Sequence, residues 1–239
     1  MISTDNTGKN TLEVIAAARR FNQWMYQTIR PFLHGNVLEI GSGIGNISSF
    51  FLADNISITL SDTDEFYLQT LKDKFHSFPN LKEILLIDLQ HPSFESAYPA
   101  LKKQYDAVFL LNVLEHVEHD NDSIKNCYYL LKPGGTLLIL TPAYTFLYSS
   151  LDKALGHYRR YTTSSLNSLL QNNMFITRQC FYFNVLGIVA WFYGKILGLK
   201  TIPSKEMSLY NKIVPFAELI DKLIFRKAGL SAIIVGEKK

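Results

Sequence analysis

At 239 residues, with 47% hydrophobic and 19% charged residues, the chain has the apolar content of a packed globular protein rather than a disordered one. A formal charge of +3 with no Lys/Arg run argues against a nucleic-acid partner. The two cysteines, Cys127 and Cys180, make neither a disulfide framework nor a zinc site, so no metal is expected and a reducing, cytoplasmic compartment is.

The polar start, Met1–Thr11, lacks the charged head and apolar core of a signal peptide. From Leu12 to Phe32 apolar residues recur at helical spacing, and Pro31 ends the pattern. Strands and helices then alternate. Asn36–Ile40 is an apolar run entering a glycine-rich turn, and Ile44–Ala53 reads as a helix. Ser57–Leu60 is the next strand, Asp64 to about Phe75 a helix, and Leu81–Ile87 a third strand. A loop and helix over Pro92–Lys103 lead into the strand Tyr105–Leu111. Asp120–Leu131 is helical, stopped by Pro133-Gly134-Gly135, and Thr136–Leu140 is a fifth strand. Short Val/Ile/Leu-rich strands separated by helices predict a parallel sheet covered on both faces.

After Thr141 the rhythm changes. Pro142–Tyr161 is irregular, Thr162–Gln171 is a capped helix, and Phe175–Phe183 is a strand. Two helical segments, Val185–Leu197 and Leu209–Phe225, form a lid inserted before a last strand, Leu230–Gly236. The apolar stretch Phe181–Leu199 is interrupted by Asn184, Gly187, Gly194, Lys195 and Gly198, whereas a membrane span needs about 20 mostly apolar residues. It reads as a buried lid helix; the alternative is contact with an apolar or lipid-linked acceptor at a membrane surface. No repeat or linker divides the chain, so one domain is expected over 1–239: cover helix and cofactor core 12–141, substrate loop and lid 142–228, last strand 229–239.

The chemistry concentrates at the strand ends. In Val37-Leu38-Glu39-Ile40-Gly41-Ser42-Gly43-Ile44-Gly45-Asn46 the glycines let backbone N–H groups meet a ligand without side chains intervening. A dinucleotide site needs Gly or Ala where Asn46 stands, and Glu39 would repel a pyrophosphate. Glu39 suits a ligand with an ammonium group and no phosphate, such as S-adenosylmethionine. Asp62, followed by Thr63, sits where a carboxylate accepts from ribose hydroxyls, with Asp64 the expected helix cap. Asp88 could take an adenine amino group while Leu89 packs on the ring. Asn112 and Val113 follow the fourth strand, at the crevice where a transferred methyl group would emerge.

Glu39-x-Gly41-x-Gly43-x-Gly45, Asp62, Asp88-Leu89, Asn112-Val113-Leu114-Glu115-His116 and Leu131-Lys132-Pro133-Gly134-Gly135 occur in the order and spacing of class I methyltransferases, which the segment Val37–Thr141 resembles. Gly156-His157-Tyr158-Arg159-Arg160-Tyr161 and Asn184-Val185-Leu186-Gly187 resemble one bacterial branch of that family, often encoded beside or fused to glycosyltransferases. The resemblance implies a Rossmann-like, doubly wound α/β fold with seven strands, the last antiparallel and slotted between strands five and six. It also implies a leading helix, around Arg20, Asn22, Trp24 and Tyr26, folded over the cofactor; for Trp24, ordinary core packing is the alternative.

The expected activity is methyl transfer from S-adenosylmethionine to a small-molecule acceptor, a glycan precursor or lipid-linked intermediate, with peripheral contact at the inner membrane face as an option. Candidate bases are His157 and His116, the latter equally readable as a structural residue. Tyr144, Arg159, Arg160 and Tyr161 are candidate substrate residues, since a guanidinium forks onto carboxylate, phosphate or sugar oxygens. Their alternative is a loop anchored by salt bridges to Asp152 or another acid. Two rival functions remain open: a non-catalytic module that binds S-adenosylmethionine, and a nicotinamide-dependent oxidoreductase.

Overall fold

The computed structural model describes residues 3–239, with side chains from residue 7 onward; Met1 and Ile2 of the polar start lie outside it. Two helices open the chain, α1 (Ser3–Ala17) and α2 (Arg19–Ile29), the latter followed by a 3-10 turn over Arg30–Phe32. The single helix expected over 12–32 is therefore two, breaking at Ala18, whose backbone leaves the helical region (φ −86°, ψ 64°).

The alternating core follows as β1 (Val37–Ile40), α3 (Ser48–Ala53), β2 (Ile58–Asp62), α4 (Glu65–Phe75), β3 (Leu81–Leu86), α5 (Phe94–Ala97), β4 (Tyr105–Leu111), α6 (Asp120–Leu130) and β5 (Leu131–Pro142). Then come α7 (Ser150–Leu155), α8 (Thr163–Asn172), β6 (Phe175–Phe183), α9 (Val185–Ile196), α10 (Ser204–Leu223) and β7 (Ser231–Lys238). Local chemistry explains several boundaries. Asp64 caps α4 by accepting the Phe66 N–H at 2.8 Å, as its position suggested. Thr162 caps α8 through the Ser165 N–H, and α7 ends at Gly156 with φ +77°.

Several boundaries differ from those expected; α10, for one, starts at Ser204 rather than Leu209. Helix α3 starts four residues late, because Gly43 and Gly45 adopt positive φ and turn the chain before it coils. Strand β5 starts five residues early: Leu131 pairs with Tyr105 and Thr136 with Ala107, so Lys132–Gly135 bulges out between them. Lys132 fastens that bulge by pairing with Asp106 at 2.8 Å.

The seven strands form one sheet in the order β3-β2-β1-β4-β5-β7-β6. Strand β7 is antiparallel to both β5 and β6, and the other pairings are parallel. Alternation within each strand splits the core in two. Leu38, Ile40, Val108, Leu110 and Leu137 face one layer, and Val37, Ala107, Phe109, Leu138 and Leu140 the other. The order reverses between β1 and β4, opening a crevice at their C-terminal ends.

Candidate functional site

On the β1 side of the crevice the glycines do separate jobs. Gly41 (φ +71°) lies so close to Val113 that an added Cβ would stand 2.4 Å from its Cγ2. Gly45 (φ +75°) lets α4 approach; a Cβ there would meet Phe75 at 2.3 Å. Ser42 ties the turn to β2, donating its N–H to the Ser61 carbonyl at 2.8 Å and accepting the Ser61 N–H at 3.2 Å.

Asp62 ends β2 and is nearly buried. Its Oδ2 accepts the Gly43 N–H at 2.9 Å, and its Oδ1 accepts the N–H groups of Thr63 at 2.8 Å and Asp64 at 3.1 Å. Glu39 is buried on the Val37 face beneath α3 and accepts a hydrogen bond from the Ser48 hydroxyl. Burial pushes its carboxyl up to about 7, and burial likewise raises Asp62. Among the described residues no cationic side chain is bonded to either of these two neighbouring buried acids, a pair that fits a ligand carrying positive charge.

The element lying on the glycine turn is α1. The Leu12 side chain packs over Gly43, and Asn46 donates to the Leu12 carbonyl at 3.3 Å. The α2 residues sit elsewhere. Trp24 is 3% exposed and packs on Phe183 with ring centroids 4.2 Å apart, Asn22 bonds the Ile15 carbonyl at 2.8 Å, and Arg20 faces solvent. Trp24 is thus a core residue. Further along the sheet edge, half-buried Asp88 accepts the Gln90 N–H at 2.8 Å, and Leu89 is buried in the core under α6.

Across the crevice, β4 runs into Asn112, which turns the chain at φ +53° and donates its N–H to the Leu140 carbonyl at 2.8 Å. Three and four residues later Glu115 and His116 converge on His157. Its Nδ1 lies 2.9 Å from Asp152 Oδ1, and its ring meets the His116 ring edge-on at 4.6 Å. Glu115 is fully buried alongside; one carboxylate oxygen accepts from Thr141 at 3.1 Å and the other has no partner among the described residues. Burial pushes Glu115 up to about 7. Desolvation, assisted by His157, pushes His116 down, so its imidazole is neutral at pH 7. Glu115, His116 and His157 offer ligand atoms within 4.8 Å of one another, a two-imidazole, one-carboxylate trio that the cysteine count could not reveal.

Asp152 organises this cluster. Fully buried, it accepts from Arg160 Nε at 2.8 Å and Nη2 at 3.2 Å, from His157, and from the Ser149 N–H at 2.8 Å. Burial alone would raise its carboxyl, but His157, Arg160 and Ser149 outweigh that and hold it below the usual range. Arg160 also donates to the Ala143 carbonyl at 3.0 Å and stacks 4.4 Å over Trp191 of α9. Its guanidinium is therefore held by the protein itself.

Arg159 is more open: it pairs with Asp120 at 3.1 Å and donates to the Glu118 carbonyl at 2.6 Å. Tyr161 is buried and donates to Asp120 at 2.9 Å. Tyr144, at φ +62°, stacks between Phe146 and Tyr182. Asn184-Val185-Leu186-Gly187 is a helix start: Asn184 (φ +69°) accepts the Gly187 N–H at 2.9 Å, and its own N–H reaches Asp221 at 2.6 Å. The sequence gives no sign of Asp221 as a partner and marks Asp120 only as a helix start, yet both form these contacts across long stretches of chain.

Residues 38–137 match the Methyltransferase domain family. Over 183 residues the chain is 26% identical to "Probable polyketide synthase 31" of Dictyostelium discoideum, covering 67% of this chain and 7% of that one. The chain thus spans under a tenth of the length of the curated relatives it matches. Among solved structures, a SAM dependent methyltransferase from Archaeoglobus fulgidus superposes with TM-score 0.58 at 18% identity, covering 91% of this chain and 94% of that one. Haemonchus contortus phosphoethanolamine N-methyltransferase 2, solved with S-adenosyl-L-methionine, superposes with TM-score 0.61 at 16% identity, covering 91% of this chain and 52% of that one. At such identities the superpositions establish a shared fold: a mixed seven-stranded sheet with one antiparallel strand and helices around it.

Proposed function

We propose that this chain is a class I S-adenosylmethionine-dependent methyltransferase that methylates a small-molecule acceptor, a glycan precursor or lipid-linked intermediate, whose proton passes to His157. The supporting observation is the Asp152–His157 pair at the crevice: a carboxylate fixes one ring nitrogen at 2.9 Å, while the other makes no hydrogen bond among the described residues. S-adenosylmethionine supplies the electrophile, a methyl group on a positively charged sulfur. Glu39 would hold the amino-acid tail by charge, and the glycine turn with Asp62 would hold the nucleoside. Trp191 and the buried Arg160 close the acceptor side and exclude water.

The test is transfer of labelled methyl groups into lipid and polysaccharide fractions of a deletion strain. Label in either fraction, cut about 10²–10⁴-fold by His157→Gln, is the expected result. If the product S-adenosylhomocysteine binds yet no fraction accepts label, the chain is a non-catalytic binding module instead. Stabilisation by NADH and not by S-adenosylhomocysteine in a thermal-shift comparison would favour the oxidoreductase.

A second expectation concerns Glu39. With its carboxyl near about 7, the group is mostly protonated at pH 6.5, and an ammonium ligand favours the ionised form. Binding of S-adenosylhomocysteine at pH 6.5 is therefore accompanied by proton release, seen calorimetrically as an enthalpy that varies with the buffer's ionisation heat. Glu39→Gln should abolish that buffer dependence; an unchanged dependence would separate Glu39 from the ligand.

A further inference from the structure

The apolar stretch over Phe181–Leu199 is not the buried lid helix its composition suggested. Gly187 is the one buried residue of α9, while Val189 is 69% and Ile196 69% exposed. Val189, Phe192, Tyr193 and Ile196 recur at three- and four-residue intervals, so a single face of the helix points outward. Helix α10, which packs against α9, repeats the arrangement. Its inner stripe is Val214, Ala217 and Asp221, and a second stripe of Leu209, Ile213, Phe216 and Leu223 is open to solvent. Phe225, just beyond α10, is 80% exposed.

Cations surround these apolar residues. Seven basic and three acidic residues fall between Val185 and Leu230, an excess of four positive charges against +3 for the whole chain. Lys200, Lys205, Lys212 and Lys227 are exposed and make no ion pair among the described residues. A second copy of the chain would bring this excess against itself. An anionic lipid surface would neutralise it while taking up the apolar side chains. No helix among the described residues is long and apolar enough to cross a membrane, so the helices would lie along the interface.

We infer that the outward faces of α9 and α10 form a docking surface for an anionic lipid bilayer, from which a lipid-linked acceptor reaches the crevice; the acceptor's part rests on the function proposed above. The inner side of α9 reaches the site directly. Trp191 donates to the Leu147 carbonyl at 3.1 Å and lies under Arg160, which shares Asp152 with His157. A helix seated in the headgroup layer would therefore hold the acceptor side of the crevice against the lipid.

The test is flotation of the full chain with vesicles of mixed phosphatidylglycerol and phosphatidylcholine, and with phosphatidylcholine alone. The chain should float with the anionic vesicles and more weakly with the neutral ones. Phe216→Glu combined with Leu223→Glu should weaken flotation by about tenfold or more, and Lys205→Glu with Lys212→Glu should remove the preference for anionic lipid. These side chains are exposed, and an unchanged melting temperature checks that each variant folds. Absent flotation, or equal flotation of the Phe216/Leu223 variant, overturns the inference. So does a wild-type dimer that the same variant converts to monomer without lipid binding, which would assign the face to a second copy. Titration with S-adenosylhomocysteine keeps the two readings apart: loss of that binding with flotation intact sinks the methyltransferase reading and leaves the docking surface standing.

Discussion

Asp152→Ala is expected to destabilise the fold by about 3–5 kcal/mol, because it strands the buried Arg160 guanidinium without its partner carboxylate. Domains of this kind have about 5–15 kcal/mol in total, so the variant should melt far below the wild type or fail to accumulate. The aspartate also anchors His157 and the start of α7, so three contacts go at once. Much of the cost lies in the charge left behind. Asp152→Ala combined with Arg160→Met should therefore recover a substantial part of the stability, since an apolar pair of similar volume tolerates this site better than a lone cation. Denaturant unfolding of the single and double variants decides it. A double variant no more stable than Asp152→Ala would contradict the argument from the stranded charge.

Gly41→Ala should be almost as damaging for a different reason. The new Cβ would stand 2.4 Å from Val113 Cγ2, and Val113 is held at the end of β4, where the chain turns through Asn112 at positive φ. Overpacking costs about 1–3 kcal/mol, and the left-handed backbone conformation adds about 1–2 kcal/mol for any residue with a Cβ. Gly134→Ala isolates the second contribution, since Gly134 has φ +74° and nothing within 4 Å of an added Cβ. Adding Val113→Ala to Gly41→Ala should bring the loss down towards that of Gly134→Ala. If Gly41→Ala costs no more than Gly134→Ala to begin with, the close approach of β1's turn to β4's end is not what requires the glycine.

The parts of the architecture that could be read from the sequence are those governed by short-range rules. Alternating apolar runs located all seven strands, Asp64 and Thr162 announced their helices, and the spacing of acids and glycines at strand ends marked one wall of the crevice. What resisted reading is set by contacts across long stretches of chain. Asp152 lies close to His157 and Arg160 in sequence, yet only the fold places Glu115 and His116, some 40 residues earlier, beside them. Trp24 could have covered a ligand or filled the core, and Phe183, from the far side of the sheet's sequence, decided for the core. For α9 apolar composition leaves two outcomes open, burial or an exposed apolar face, and only the fold shows that its outer face is exposed.

The insertion of β7 between β5 and β6 has a consequence for biosynthesis. While the ribosome is still producing residues 143–230, one edge of β5 is an open row of amide donors and acceptors, and β6 has no neighbour to pair with. Both are satisfied only when Ser231–Lys238 emerges and threads into the gap, so the sheet closes in a single late event. Until then the nascent chain exposes a sticky margin, and chaperones that shield unpaired strand edges would have their greatest effect on yield during that interval.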